Sequence, residues 1–194
     1  MTDSNLVIVV GPPAVGKMTV GEAIAELTGY RLSHNHHSVD VALALFEFGS
    51  PPFAELVSTI RETVFRLAAE SDLPGLIFTF VWAFDHKGDL SYMQKVTAEW
   101  QQRTSGDVYF LELSATLDER LQRNESPRRL AAKTSKQDVA KSRENLLSLE
   151  RYELNSTGDA PIDQPYLRVD NTDLTPQQVA HTFVTEFNLA EPPR

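Results

Sequence analysis

The chain has 194 residues, a formal net charge of −9 and no cysteine. That length suits one domain spanning 1–194 with an ample core, and the missing cysteines exclude disulfides and zinc–thiolate sites. The acidic balance disfavours broad non-specific binding to nucleic acid. The N-terminal residues lack the basic region of a leader, and no apolar run is long enough to span a membrane, so the expectation is a cytoplasmic protein. The basic residues are unevenly placed: Arg120, Arg123, Arg128, Arg129, Lys133, Lys136, Lys141 and Arg143 crowd one region. A local basic patch on an acidic chain suits a small anionic ligand better than a polymer.

Leu6 to Val10 is a short apolar block rich in β-branched residues, the pattern of a buried parallel strand. Gly11-Pro12-Pro13-Ala14-Val15-Gly16-Lys17-Met18-Thr19 follows, and fits G-x-x-x-x-G-K. Val20, Ala23, Ile24 and Leu27 then recur at helical spacing up to Gly29. In a strand–loop–helix setting this motif cradles phosphates. Glycine lets the backbone curl its N–H groups inward, the helix N-terminus adds partial positive charge, and Lys17 adds a point charge. Tyr30 to His34 reads as a second strand. The spacing of Val39, Leu43 and Phe46 predicts a helix over 38–48, broken by Gly49-Ser50-Pro51-Pro52. Leu56, Ile60, Val64 and Leu67 predict another over 53–70. Leu76 to Phe84 is the longest apolar run and reads as a central strand ending at Asp85. A helix over 90–104 and a strand over 108–113 come next. Thr116 with Glu119, and Ser135 with Asp138, are capping boxes, the second opening a helix to about Leu154. Tyr166 to Asp170 is a fifth strand. Thr175-Pro176 opens the last helix, with Val179, Phe183 and Phe187 facing inward. Strands alternating with helices give right-handed β-α-β units and a five-stranded parallel sheet with helices on both faces. Ligands of such sheets sit beyond the carboxyl ends of the strands.

On the loop motif and this order of elements, the chain resembles the P-loop kinases. Within them it resembles the small-molecule branch of shikimate kinase, adenylate kinase, gluconate kinase and chloramphenicol phosphotransferase. The resemblance implies a three-layer P-loop NTPase fold with an acceptor-binding helical insert at about 36–72 and a lid at about 116–136. It implies Mg-ATP as phosphoryl donor, bound by Gly11, Pro12, Pro13, Ala14, Val15, Gly16, Lys17, Met18 and Thr19. Met18 stands where the family usually places the Ser or Thr that binds Mg²⁺. Thr19 matches the G-K-x-T form of adenylate kinases, in which Mg²⁺ is held largely through water. From the lid, the resemblance implies that Arg123 stacks on adenine and that Arg129, or its neighbour Arg128, reaches the phosphates. It places Asn171, after the fifth strand, under the adenine edge.

The acceptor side departs from the family. Shikimate kinases carry Asp-x-Asp after the second strand, where this chain has His34-Asn35-His36-His37, with Asp40 a turn further on. His34, His36 and Asp40 are candidates for acceptor contact. The imidazoles can hydrogen-bond, act as a base near neutral pH, hold a metal, or belong to a polar helix start capped by Asn35 or Ser38. Asp85 is the candidate base or Mg²⁺ organiser, and the alternative is a turn that closes the strand. The reading is an ATP-dependent phosphotransferase moving the γ-phosphoryl group to a hydroxyl or phosphate of a small metabolite. It acts as a monomer or homodimer, with Lys17, Asp85, Arg123 and Arg129 as its working residues. A nucleotide-binding switch with weak ATPase activity and a kinase of polynucleotide ends are the competing readings.

Overall fold

The computed structural model describes residues 2–125 and 139–189. Strand β1 (Asn5–Val10) lies at the centre of the sheet, and helix α1 (Lys17–Thr28) follows the glycine loop. Then come β2 (Arg31–Ser33), α2 (His36–Leu43), α3 (Pro51–Ala69), β3 (Gly75–Thr79), α4 (Lys87–Arg103) and β4 (Val108–Ser114). Next are α5 (Leu117–Asn124), α6 (Val139–Ser148) with a 3₁₀ turn over Leu149–Arg151, β5 (Tyr166–Asp170) and α7 (Pro176–Glu186). The strand order is β2-β3-β1-β4-β5, every pair parallel.

The continuous apolar run of β1 reflects burial on both faces. Val7 and Val9 point to the layer formed by α1 and α7, where they meet Val20, Ile24, Val179 and Phe183. Leu6, Ile8 and Val10 point to the layer of α3 and α4, against Phe65, Met93, Trp100 and Phe110. Central β1 and the two cores hold the glycine loop at the carboxyl edge of the sheet. Thr116 accepts from the Glu119 N–H at 3.3 Å, and Thr175 and Gln178 form a complete capping box. The expected box at Thr116 and Glu119 is only half formed, because the Thr116 N–H donates to the Thr172 hydroxyl at 3.1 Å and the Glu119 carboxylate pairs with Arg123. The expected box at Ser135 and Asp138 lies outside the described residues, and the α6 helix gives way to the 3₁₀ turn before Leu154.

Three sequence expectations need correction. Strand β3 ends at Thr79, not Phe84. The last ladder bond runs from the Phe80 N–H to the Val9 carbonyl at 2.9 Å, after which the chain leaves the sheet. Trp82 is still fully buried, its ring stacked on Phe84 at 4.6 Å, so apolar burial continues without strand pairing. Helix α2 begins at His36 and stops at Leu43, so its first turn carries His36 and His37, and Leu45 and Phe48 are 69% and 77% exposed. On α3 the buried stripe is Phe53, Val57, Phe65, Ala68 and Ala69, while Leu67 is exposed. The inward face is rotated from the expected one, and Arg61, four residues from both Val57 and Phe65, lies on it.

Candidate active site

The loop between β1 and α1 is built from left-handed backbone. Gly11 has φ +133° and Gly16 φ +107°, and Ala14 also adopts a positive φ of 62°. A side chain at Gly11 would put its Cβ 2.3 Å from the Leu113 carbonyl oxygen, so loop and β4 touch through bare backbone. An L-residue in this region costs about 1–2 kcal/mol, strain that persists only where surrounding contacts over-determine it. Those contacts are visible. The Lys17 ammonium donates to the carbonyls of Gly11 (2.6 Å) and Pro12 (2.7 Å), and the Thr19 hydroxyl donates to the Gly16 carbonyl at 2.8 Å.

Two residues from distant segments hold the loop from outside. Arg123 of α5 donates through Nη1 to the Val15 carbonyl at 2.9 Å, and through Nη2 to the carbonyls of Asn171 (2.8 Å) and Thr172 (3.1 Å). Its Nε pairs with Glu119 at 2.7 Å. Asn171, buried after β5, donates its side-chain amide to the same Val15 carbonyl at 2.9 Å. Asp170 sets the turn beneath, accepting from the Thr172 N–H (2.9 Å) and hydroxyl (2.7 Å). Those bonds hold the Asp170 carboxyl below its ordinary range. A depressed carboxylate stabilises the turn above its unfolded value of about 3.9, and that contribution is lost as pH falls through the folded value. The Thr172 amide signal in NMR is therefore expected to hold steady from neutral pH to about 4 and to move below it. In Asp170→Asn that acid transition should vanish.

Arg120, one turn from Arg123, does something else. It is 5% exposed and forms a bidentate pair with Glu150 in the 3₁₀ turn at 2.8 and 2.7 Å. It ties α5 to the segment after α6. Arg128 and Arg129 lie outside the described residues.

At the carboxyl ends of β2 and β3, the Asn35 N–H donates to the Thr79 hydroxyl at 3.1 Å. His34 stacks on His37 at 3.7 Å between ring centroids, and His36 Nδ1 lies 3.5 Å from the Asp40 carboxylate. Arg61 enters this group from α3. It donates to the Asn35 side-chain carbonyl and, at 3.1 Å, to the Ser38 hydroxyl, with its guanidinium 5.8 Å from the Phe78 ring and 5.9 Å from Phe80. Burial lowers its pKa, and the nearby Tyr92 hydroxyl acts in the opposite sense. Sequence reasoning missed Arg61. The available signal was the four-residue spacing of Phe53, Val57 and Phe65, with an arginine at the one missing step.

Asp85 is exposed in the turn between β3 and α4, past the strand end. The carboxylate that shapes this turn is Asp89, which accepts from the Ala83 N–H at 2.9 Å and lies 3.5 Å from His86 Nδ1. Another acid passed over in the sequence, Glu112 of β4, is 3% exposed. It accepts from the Asn155 amide (2.9 Å), the Ser156 N–H (2.8 Å) and hydroxyl, and the Tyr166 hydroxyl (2.6 Å). Burial, reinforced by Glu112, pushes the Tyr166 pKa up, so that its hydroxyl stays a donor.

The loop fits a nucleotide triphosphate tail by its two positive-φ glycines and its lysine. Beside it, the buried Asn171 side-chain oxygen has no hydrogen-bond partner among the described residues, so an acceptor is available there. No three His, Asp or Glu side chains among the described residues converge as a metal-ligand set.

No family model and no characterised relative matches the sequence. Solved structures do match over the whole chain. A Chloroflexus aurantiacus protein assigned as a kinase is 20% identical, with TM-score 0.63 over 97% of this chain and 98% of that one. The APS kinase of Mycobacterium tuberculosis, solved with AMPPNP and APS, is 14% identical, with TM-score 0.60 over 97% and 99%. The chain has the P-loop kinase fold. A shikimate kinase from Bacteroides thetaiotaomicron aligns with TM-score 0.56 at 15% identity over 95% and 98%. The expected three-layer architecture with its five-stranded parallel sheet is thus the observed one. No helix among the described residues is long and apolar enough to cross a membrane.

Proposed function

We propose that this P-loop kinase fold carries an ATP-dependent phosphotransferase that moves the γ-phosphoryl group of Mg-ATP to a hydroxyl or phosphate of a small metabolite. The observation that supports it most is the loop itself, held in left-handed backbone between Lys17 and the Arg123–Asn171 pair on the Val15 carbonyl. When bound, Mg-ATP supplies the transferable phosphoryl group. The protein supplies position and charge, which is most of what such transfer needs. In this reading the loop residues 11–19 hold the phosphates and Lys17 neutralises the outer charge. Arg123 and Asn171 line the base, and Arg129 adds charge from the lid. His34, His36, Asp40 and Arg61 meet the acceptor, Arg61 as a fixed cation for an anionic group. Asp85 takes the acceptor proton or orders Mg²⁺ through water. The nucleotides of the APS kinase structure and the kinase names of the other neighbours agree with this reading.

The test is a panel of metabolites scored for acceptor-stimulated release of ADP. Tight nucleotide binding with no stimulation by any acceptor would favour the switch reading, which Met18 supports. Asp85→Asn is expected to lower kcat by about 10²-fold or more with ATP affinity little changed, the cost of losing a positioned base. Unchanged kcat removes Asp85 from the mechanism. Met18→Ser is expected to retain turnover and to lower the Mg²⁺ concentration giving half-maximal rate, because a hydroxyl there adds a direct ligand. A magnesium titration of both proteins reads this. An unchanged half-maximal concentration would mean that the added hydroxyl does not reach the ion.

A further inference from the structure

Resting on that reading of the acceptor side, we propose that the acceptor is an anion bound together with a proton, which the stacked imidazoles of His34 and His37 take up. His34 comes from the turn after β2 and His37 from the first turn of α2, with ring centroids 3.7 Å apart and planes tilted by 35°. Arg61 of α3 lines the same cavity with Ser33, Ser38 and Phe78. Its volume of about 30 Å³ holds one water, so an anion seats at its mouth, where His37 is exposed.

The charges around the pair set the sign. From α2, His36 lies 6.3 Å from His34 between ring centroids and faces the Asp40 carboxylate. From α3, Arg61 is a permanent cation whose hydrogen-bond partners Asn35 and Ser38 are neutral. From α4, Tyr92 lies against Arg61, and burial raises its pKa, so it stays uncharged. Glu62 and Lys95, which also act on Tyr92, pair with each other at 2.8 Å. From β3 come Phe78 and Thr79. His34 and His37 touch and line one cavity with Arg61, so an anion seated at its mouth meets all three. A sulfate-, phosphate- or carboxylate-bearing acceptor there favours a protonated imidazole, because an opposite charge close by favours the charged form. Linkage is reciprocal: whatever the anion does to proton affinity, protons do to anion affinity. Imidazole titrates just below neutral pH, so acceptor binding tightens as pH falls from about 8 to about 6.

Sulfate is the probe, because its own charge is constant over that range. Ring-carbon NMR titrations of the full chain, with sulfate against chloride at equal ionic strength, report each histidine separately. The expected result is a rise of roughly one pH unit in the midpoint of His34 or His37, with His86 and His181 unmoved. The glycine loop is also an anion site, so the rise must persist in Lys17→Ala and disappear in Arg61→Gln. If Arg61→Gln does not fold, His37→Asn at an exposed position replaces it, and His34 must then lose its response. No rise, or an equal rise in Arg61→Gln, overturns the inference. The kinase reading fails separately. Proton-linked sulfate binding without phosphoryl transfer to any anionic acceptor sinks that reading alone. Transfer to an anion whose KM is flat with pH, in a protein showing no midpoint rise, sinks this inference alone.

Discussion

Lys17→Ala is expected to cut phosphoryl transfer by about 10²–10³-fold or more while leaving the fold in place. The Lys17 ammonium now bridges the carbonyls of Gly11 and Pro12. In the proposed function, the same charge would face the outer phosphates of the bound nucleotide, where it counts most as charge spreads over the transferred group. Removing one such stabilising group costs about 10²–10³ in kcat. The two carbonyl contacts are half-exposed, so the melting temperature without nucleotide should drop by no more than about 3–6 °C. The decisive measurement is the melting shift produced by ATP, expected to disappear in the variant. A Lys17→Ala protein with full turnover would show that the loop is a structural turn.

Arg120→Ala has its large effect on stability instead. Its guanidinium is 6% exposed by side chain and paired bidentately with Glu150, itself 31% exposed. Breaking a buried pair from one side costs about 3–5 kcal/mol. Because Glu150 retains some access to water, about 3 kcal/mol is expected, or roughly 6–12 °C in melting temperature. At temperatures well below that melting point, kcat should stay within a few-fold of the parent. Arg123→Ala is the contrast, since that side chain reaches the glycine loop. If Arg120→Ala lowers kcat strongly and leaves melting unchanged, the two arginines have exchanged roles.

The glycine loop was legible because everything that identifies it is contiguous: an apolar strand, two glycines, a lysine and a helix within residues 5–28. The role separation of Arg120 and Arg123 was only half legible. Their spacing put both on one helix, but their partners, Glu150 in one case and Val15, Asn171 and Thr172 in the other, lie far along the chain. Strand β3 was read too long because hydrophobicity reports burial, not pairing; Trp82 stays in the core after the backbone has left the sheet. The α3 face was misread because its surface carries apolar residues, including Leu67 at 53% exposure, which mask the buried stripe. Arg61 was lost with it. Glu112 was hidden inside an apolar strand, and its partners Asn155, Ser156 and Tyr166 read only as loop and strand residues.

Glu112 has a consequence for the timing of local opening. The stretch from Glu153 to Ser156 has no regular secondary structure, yet it is fastened at both ends. The Phe84 N–H donates to the Glu153 carbonyl at 2.7 Å, and the buried Glu112 carboxylate takes the Ser156 N–H at 2.8 Å. Amide hydrogen exchange follows the opening of such bonds rather than the helix-or-strand label. Ser156 should therefore exchange its amide proton in step with β4, far more slowly than the neighbouring loop amides near Gly158. On that expectation, this piece of loop opens together with the strand that holds it, not with the loop it follows in sequence.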